Sequence, residues 1–243
     1  MQKTYKYFDL IMALFVTVLL LSNLLSSAKL IDLNTSIGPI ALIFDAGTLV
    51  FPISYIFGDV LTEVYGYRRS RRVIWTGFGA MVLMAFFVWL AGVLPGEPGW
   101  MMDANLGPDV VPGQTAYETL LGGISGLAVA SLAAYFVGEF SNSYVLARMK
   151  VAMQGRFVWM RTIGSTLVGQ GVDTLVFFSI ATLLGVFSWD LFFGLVVTNY
   201  ILKVGIEVIM TPITLQIIAG LKRAEHEDFY DTNTDFNPFR LDA

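Results

Sequence analysis

Val73–Leu94 reads VIWTGFGAMVLMAFFVWLAGVL, 22 residues without a single charge. A helix needs about 20 predominantly apolar residues to cross the hydrocarbon core of a bilayer, and this run has that length. Arg68, Arg69, Arg71 and Arg72 stand just before it, and Pro95 follows it. An apolar run with bases crowded at one end is the pattern of a membrane-spanning helix with that end in the cytoplasm.

The same pattern recurs outward in both directions. Of the 243 residues, 56% are hydrophobic and 14% charged, too little polar surface to cover a soluble core. The chain is therefore expected to be an all-α membrane protein, a bundle of six transmembrane helices. The spans are read at about Phe8–Ala28, Ala41–Gly66, Val73–Leu94, Tyr117–Ala147, Thr162–Phe187 and Leu191–Gly220. Pro52 is expected to bend the second span, and the fourth to run on beyond the membrane. The first run, which ends near Ser26, Ser27 and Ala28, is read as a retained span rather than a cleaved signal peptide.

Basic residues also collect at Arg148, Lys150, Arg156 and Arg161, at Lys3 and Lys6, and at Lys222 and Arg223. The opposite links carry Lys29 with acids such as Asp32, Glu97, Asp103 and Asp190. Both termini are thus predicted to be cytoplasmic. Residues 1–223 are read as the transmembrane domain and 224–243 as an acidic, solvated cytoplasmic tail. The loop from Pro95 to Gln114 is placed outside, over the mouth of the bundle.

Against this background the polar residues stand out. An ionisable side chain at a span centre costs about 2.5–3.5 kcal/mol on insertion scales. Asp59 and Glu63 fall in span two, Glu139 in span four, Asp173 in span five, and Lys203 with Glu207 in span six. Facing lipid, these six would together cost on the order of 15 kcal/mol, so they are expected to face inward. Asp59 and Glu63 share a helical face at i and i+4. Gln170, Asp173, Thr174 and Phe177 form one stripe, and Tyr200, Lys203, Glu207 and Thr211 another. With Asn23 on span one, they describe a polar chamber. Blander pairings are Lys203 with Glu207 along one helix, and Glu63 with Arg68. Gly122, Gly126, Ala130, Ala134 and Gly138 make a strip of small residues suited to close helix packing, within the bundle or in a homodimer.

Much chemistry is excluded. The absence of cysteine removes disulfides, thiolate metal sites and thiol nucleophiles. The single histidine, His226, lies in the tail, so no metal site or histidine triad is expected within the spans. No P-loop is present. Asp59 and Asp173 could pair as in an intramembrane protease, but nothing around them marks a nucleophilic water. The chain is read as a carrier for a small polar molecule, not an enzyme, with no cofactor.

Five segments carry a family resemblance: FPISYIFGDVLTEVYGYRRSRR (Phe51–Arg72), GEFSNSYVLARMK (Gly138–Lys150), RTIGSTLVGQGVDTLVFF (Arg161–Phe178), YILKVGIEVIMTPI (Tyr200–Ile213) and YDTNTDFNPF (Tyr230–Phe239). They resemble the queuosine precursor transporters, also called the vitamin uptake transporter family. The resemblance implies a bacterial inner-membrane importer of 7-cyano-7-deazaguanine, 7-aminomethyl-7-deazaguanine or queuine, which feed the queuosine modification of transfer RNA. It implies a small-molecule partner and the lipid bilayer, with no direct contact with nucleic acid. The chamber suits such a ligand, because an ionised carboxylate can accept two adjacent N–H groups of a guanine-like edge. Asp173 with Gln170 is expected to read the base, assisted by Glu139, Asn142 and Asn23, with Phe177 or Tyr200 stacking on the ring. Lys203 and Glu207 would pair or contact the 7-substituent, and Asp59 and Glu63 would gate or couple. Alternating access is the expected mechanism. The sequence leaves proton coupling and facilitated diffusion equally admissible, and also a substrate-binding subunit that borrows an external energising module.

Overall fold

The computed structural model describes residues 5–37, 40–98 and 113–240. Helix α1, Phe8–Ala28, leads into a two-stranded antiparallel hairpin of β1, Leu30–Ile37, and β2, Ile40–Asp45. A single 3₁₀ turn, Ala46–Leu49, connects it to α2, Phe51–Val60, which widens into a π-helical turn over Leu61–Tyr65. Helices α3, Tyr67–Val93, α4, Gly113–Ala152, α5, Val158–Leu183, and α6, Trp189–Glu225, complete the bundle.

Five helices, α1 and α3–α6, are long and apolar enough to cross a membrane. The second span differs from its reading. Residues 40–45 pair with β1 in the register Leu30↔Asp45, Ile31↔Phe44 and Asp32↔Ile43, so the helix begins only at Phe51. Pro52 does not bend a long helix: it lies in the first turn of a short one, where its missing N–H has no intrahelical partner to lose. Together α2 and its π turn rise about 22 Å, less than the roughly 30 Å hydrocarbon thickness. Most of the expected outer loop, residues 99–112, lies outside the described residues. As expected, α4 outruns the membrane, its 40 residues rising about 60 Å.

Helix α1 enters the core through Ile11, Phe15 and Leu19, which pack with Val60, Val64, Ile74 and Tyr135. The outer surface carries exposed Phe86, Phe87, Trp89, Phe193 and Ile209, side chains that suit lipid. Two glycines set the closest helix approach. A Cβ on Gly138 of α4 would lie 2.8 Å from the Asp173 Cβ, and one on Gly169 of α5 would lie 2.7 Å from the Asn142 Cβ. The small strip therefore serves packing inside the bundle at Ala130, Ala134 and Gly138. The side chain position of Gly126 lies outside the described ones, and Gly122 is exposed.

Both described chain ends, the arginines of α3 and the α4–α5 link meet at one end of the bundle, here called the basic end. The segment after α6 is not free in solvent. Asp231 accepts from the Tyr67 backbone N–H at 3.2 and 3.1 Å, so it caps the start of α3. Trp75 Nε1 donates to the Pro238 carbonyl at 2.8 Å, and Arg71 Nη1 to those of Asp235 and Asn237 at 3.0 and 2.6 Å. Phe236 packs on Tyr67 with ring centroids 4.9 Å apart. The tail is a strap, and its start is held near the first residues by Glu225, which accepts from the Lys6 and Tyr7 backbone N–H groups at 2.9 and 2.7 Å.

Candidate functional site

Three polar layers follow one another along the bundle. The outermost surrounds a cavity of about 40 Å³ beneath the hairpin, between α1, α4, α5 and α6. Asp173 on α5 and Lys203 on α6 form its wall, with Nζ–Oδ2 2.9 Å and side chains only 5% and 10% exposed. The Lys203 ammonium also lies 4.2 Å from the centroid of the Phe51 ring, a cation–π distance. Lys203 thus pairs across helices with Asp173 rather than along its own helix with Glu207.

The cavity's other polar wall is a set that the sequence reading passed over. Asp45, at the end of β2, accepts from Ser26 Oγ at 2.5 Å, from the Thr48 N–H at 3.1 Å and from the Thr48 hydroxyl at 3.0 Å. Thr48 Oγ1 lies 3.1 Å from Asn199 Oδ1, so α1, the hairpin and α6 are linked at the cavity rim. A carboxylate inside the apolar run IALIFDAGTLVF was the available signal, on the same reasoning applied to Asp59. Asn23 and Phe177 line the cavity too. Asn23 donates to its own helix at Leu19 O, 2.9 Å away, and Phe177 meets Phe178 edge-on at 5.0 Å. Tyr200 stands apart, on the flank of α5, with its hydroxyl 3.2 Å from Leu167 O.

The middle layer is buried. Asp59 on α2, Glu139 and Asn142 on α4, Gln170 on α5 and Glu207 on α6 are all buried, beside Tyr55. Asn142 Nδ2 donates to Asp59 Oδ1 at 2.8 Å. Among the described residues the remaining groups have no hydrogen-bond partner: Asp59 Oδ2, both Glu139 oxygens, Asn142 Oδ1, both Gln170 amide atoms, Glu207 Oε2 and the Tyr55 hydroxyl. Each buried polar atom left unpaired costs about 1–3 kcal/mol, and native proteins hold only a few. So dense a group costs stability and marks a candidate site. Gly58 makes room for it, since a Cβ there would lie 3.0 Å from Glu139 Oε2.

The third layer, at the basic end, is the opposite. Glu63, in the π turn, receives Arg161 Nε at 2.8 Å and Nη2 at 2.6 Å, and Lys222 Nζ at 2.5 Å. Lys150 Nζ lies 3.4 Å from the same carboxylate and donates to the Glu63 carbonyl at 2.6 Å. Asp228 of the strap closes the set, 2.6 Å from Lys150 and 2.8 Å from Lys222. Burial alone would lift the Asp228 carboxyl, but the hydrogen bonds and charge of these two lysines hold it below its usual range. Glu63 is therefore held by Arg161, not Arg68, which is exposed. Its partner is 98 residues away along the chain.

A multi-pass helical bundle with charged groups turned inward is the architecture of a membrane protein with a polar interior. Residues 45–217 match the family model described as "Putative vitamin uptake transporter", and the chain belongs to that family. It is 29% identical over 167 residues to a protein of Bacillus subtilis named "Probable queuosine precursor transporter", covering 68% of each chain. It is 26% identical over 135 residues to the "Queuosine precursor transporter" of Escherichia coli, covering 56% of this chain and 53% of that one. A Haemophilus influenzae relative, also named "Probable queuosine precursor transporter", is 27% identical over 135 residues, covering 56% of this chain and 50% of its own. No solved structure matches the chain at a significant level.

Proposed function

We propose that the protein imports queuosine precursors, 7-deazaguanine bases, across a bacterial inner membrane by alternating access. The observation that carries this reading is the Asp173–Lys203 pair in the wall of a cavity inside a membrane bundle. It supplies, side by side, a carboxylate that accepts the two N–H groups of a guanine-like edge and an ammonium that donates to ring or substituent acceptors. Asn23 adds an amide, and Phe51 and Phe177 offer aromatic faces at the same cavity. Gln170, Glu139, Asn142 and Glu207 lie one layer deeper, where they would meet the base as it moves inward. Tyr200 would take part only if α5 and α6 separated.

A cavity of about 40 Å³ has room for a few waters, each of which needs about 10–15 Å³, and falls short of a fused two-ring base. A fused two-ring base therefore requires the helices to part, which is the motion alternating access supplies. The basic end is assigned to the cytoplasm by its arginines and lysines, so the cavity beneath the hairpin is the outward approach. The ion network around Glu63 is then the inner gate, with Asp59 between gate and cavity.

The test is thermal stabilisation of the purified protein by 7-cyano-7-deazaguanine, its aminomethyl relative, queuine, guanine and unrelated vitamins. A ligand at 100 times its Kd stabilises by about 2.7 kcal/mol. A shift given by the deazaguanines alone, and lost in Asp173→Asn, is the expected result. Equal responses to every compound would remove the assignment.

A further inference from the structure

We propose that the middle layer is a proton-binding site, centred on Glu139 and shared with Asp59 and Glu207, whose protonation is linked to occupancy of the Asp173–Lys203 pair. The inference rests on the transporter reading for its second half only. Four carboxyls, Asp59, Glu139, Asp173 and Glu207, are buried together with one ammonium, Lys203, and that ammonium is committed to Asp173 at 2.9 Å. Glu139 lies within electrostatic reach of Asp173 and Asp59, and Glu207 within reach of Asp59 and Glu139. Three neighbouring buried acids without a cation cannot all be ionised, because each added charge meets both desolvation and repulsion. Each proton taken up removes one of these charges and the repulsion it exerts on the other two.

A second observation points the same way. Tyr55 on α2 and Gln170 on α5 are fully buried and reach into the cluster, yet their hydroxyl and amide atoms have no partner among the described residues. Tyr55 lies within electrostatic reach of Asp173, Glu139, Glu207 and Asp59. Tyr135, one turn before Glu139 on α4, lies within reach of that acid, while its hydroxyl donates to the Ile74 carbonyl at 2.9 Å. A protonated carboxyl donates as well as accepts, so a proton moving among these acids finds acceptors waiting in Tyr55, Asn142 and Gln170. A metal ion is a poorer occupant: no group of three acids among the described residues is arranged to hold one.

The linkage has a sign. Ionised Glu139 repels an ionised Asp173, whereas protonated Glu139 does not. Asp173 is ionised opposite Lys203 before the base arrives. A neutral base that draws the Lys203 ammonium onto its own acceptors leaves more of the Asp173 charge facing Glu139 and so favours the proton there. The proton favours the base by the same factor. The proton travels in the direction of the base, and an acid exterior speeds uptake.

Infrared titration of the purified protein tests the site without any ligand. Wild type should keep a protonated-carboxyl C=O band at neutral pH that weakens in Glu139→Gln, with Asp59→Asn and Glu207→Gln as companion variants in case one fails to fold. No such band, or a band unchanged in every folded variant, overturns the site. Uptake of 7-aminomethyl-7-deazaguanine and 7-cyano-7-deazaguanine into proteoliposomes, with the pH gradient imposed in either direction, tests the linkage. Several-fold faster entry of the neutral cyano compound from an acid exterior, abolished in Glu139→Gln, supports it; uptake indifferent to the gradient overturns it. Absent uptake of either compound counts against the importer reading instead, and the infrared band still decides the proton site.

Discussion

The middle layer and the basic end are built from the same kinds of residue and differ in completion. At the basic end Glu63 and Asp228 meet Arg161, Lys150 and Lys222 with every carboxylate matched by a cation. One layer deeper, Asp59, Glu139 and Glu207 keep oxygens that nothing in the described protein satisfies. A matched network resists opening and suits a latch. An unmatched one gains by taking a partner and suits a site.

Removing Glu63 should give the largest effect on stability. Glu63→Ala leaves Arg161 and Lys150 buried without their shared acid, a loss of about 3–5 kcal/mol, visible as a lowered melting temperature in detergent. Glu139→Gln should sharpen the contrast: it replaces an acid whose oxygens have no partner with a neutral amide, so the melting temperature should hold or rise while transport fails. If the two substitutions destabilised equally, the distinction between latch and site would collapse.

Asp173→Asn leaves the Lys203 ammonium facing an amide oxygen instead of a carboxylate. It should lower the melting temperature less than Glu63→Ala does and cut uptake about tenfold or more, as loss of a charge-assisted bond of roughly 1.5–3 kcal/mol implies. Gly138→Ala drives a methyl against the Asp173 Cβ and should cost about 1–3 kcal/mol by overpacking, read as a lowered melting temperature.

The smallest effect concerns acid. Asp228 is held below its usual range by Lys150 and Lys222 despite its burial. Its contribution is present above the unfolded carboxylate value of about 3.9 and is lost as pH falls through its lowered folded value. Asp231 is raised by burial, so its contribution is full only at low pH and fades as pH rises through the folded value. Protease access to residues 226–240 should therefore increase on strong acidification in wild type. In Asp228→Asn it should already be higher at neutral pH.

The helices were legible because lipid demands long apolar runs, and α1 and α3–α6 could be placed from hydropathy alone. The hairpin was not, because residues 41–50 are as apolar as the helix that follows, and only pairing with residues 30–37 separates them. The inward acids were legible from their cost, since Asp59, Glu139, Asp173 and Glu207 had no other tolerable direction. Their partners were not. Lys203 finds Asp173 30 residues back, and Glu63 passes over nearby Arg68 for a base on another helix. Spacing along one helix describes a face; it says nothing of what the face meets. The strap was missed for a related reason: an acidic stretch looks soluble until the cations that receive it are known.

That strap has a consequence for biogenesis. Residues 226–240 leave the ribosome after α1–α6, yet they supply the acceptors that cap α3 and one acid of the network around Glu63. Until they arrive, the start of α3, Arg71, Trp75 and Lys150 stand without these partners, so the basic end is the last part of the bundle to be fastened.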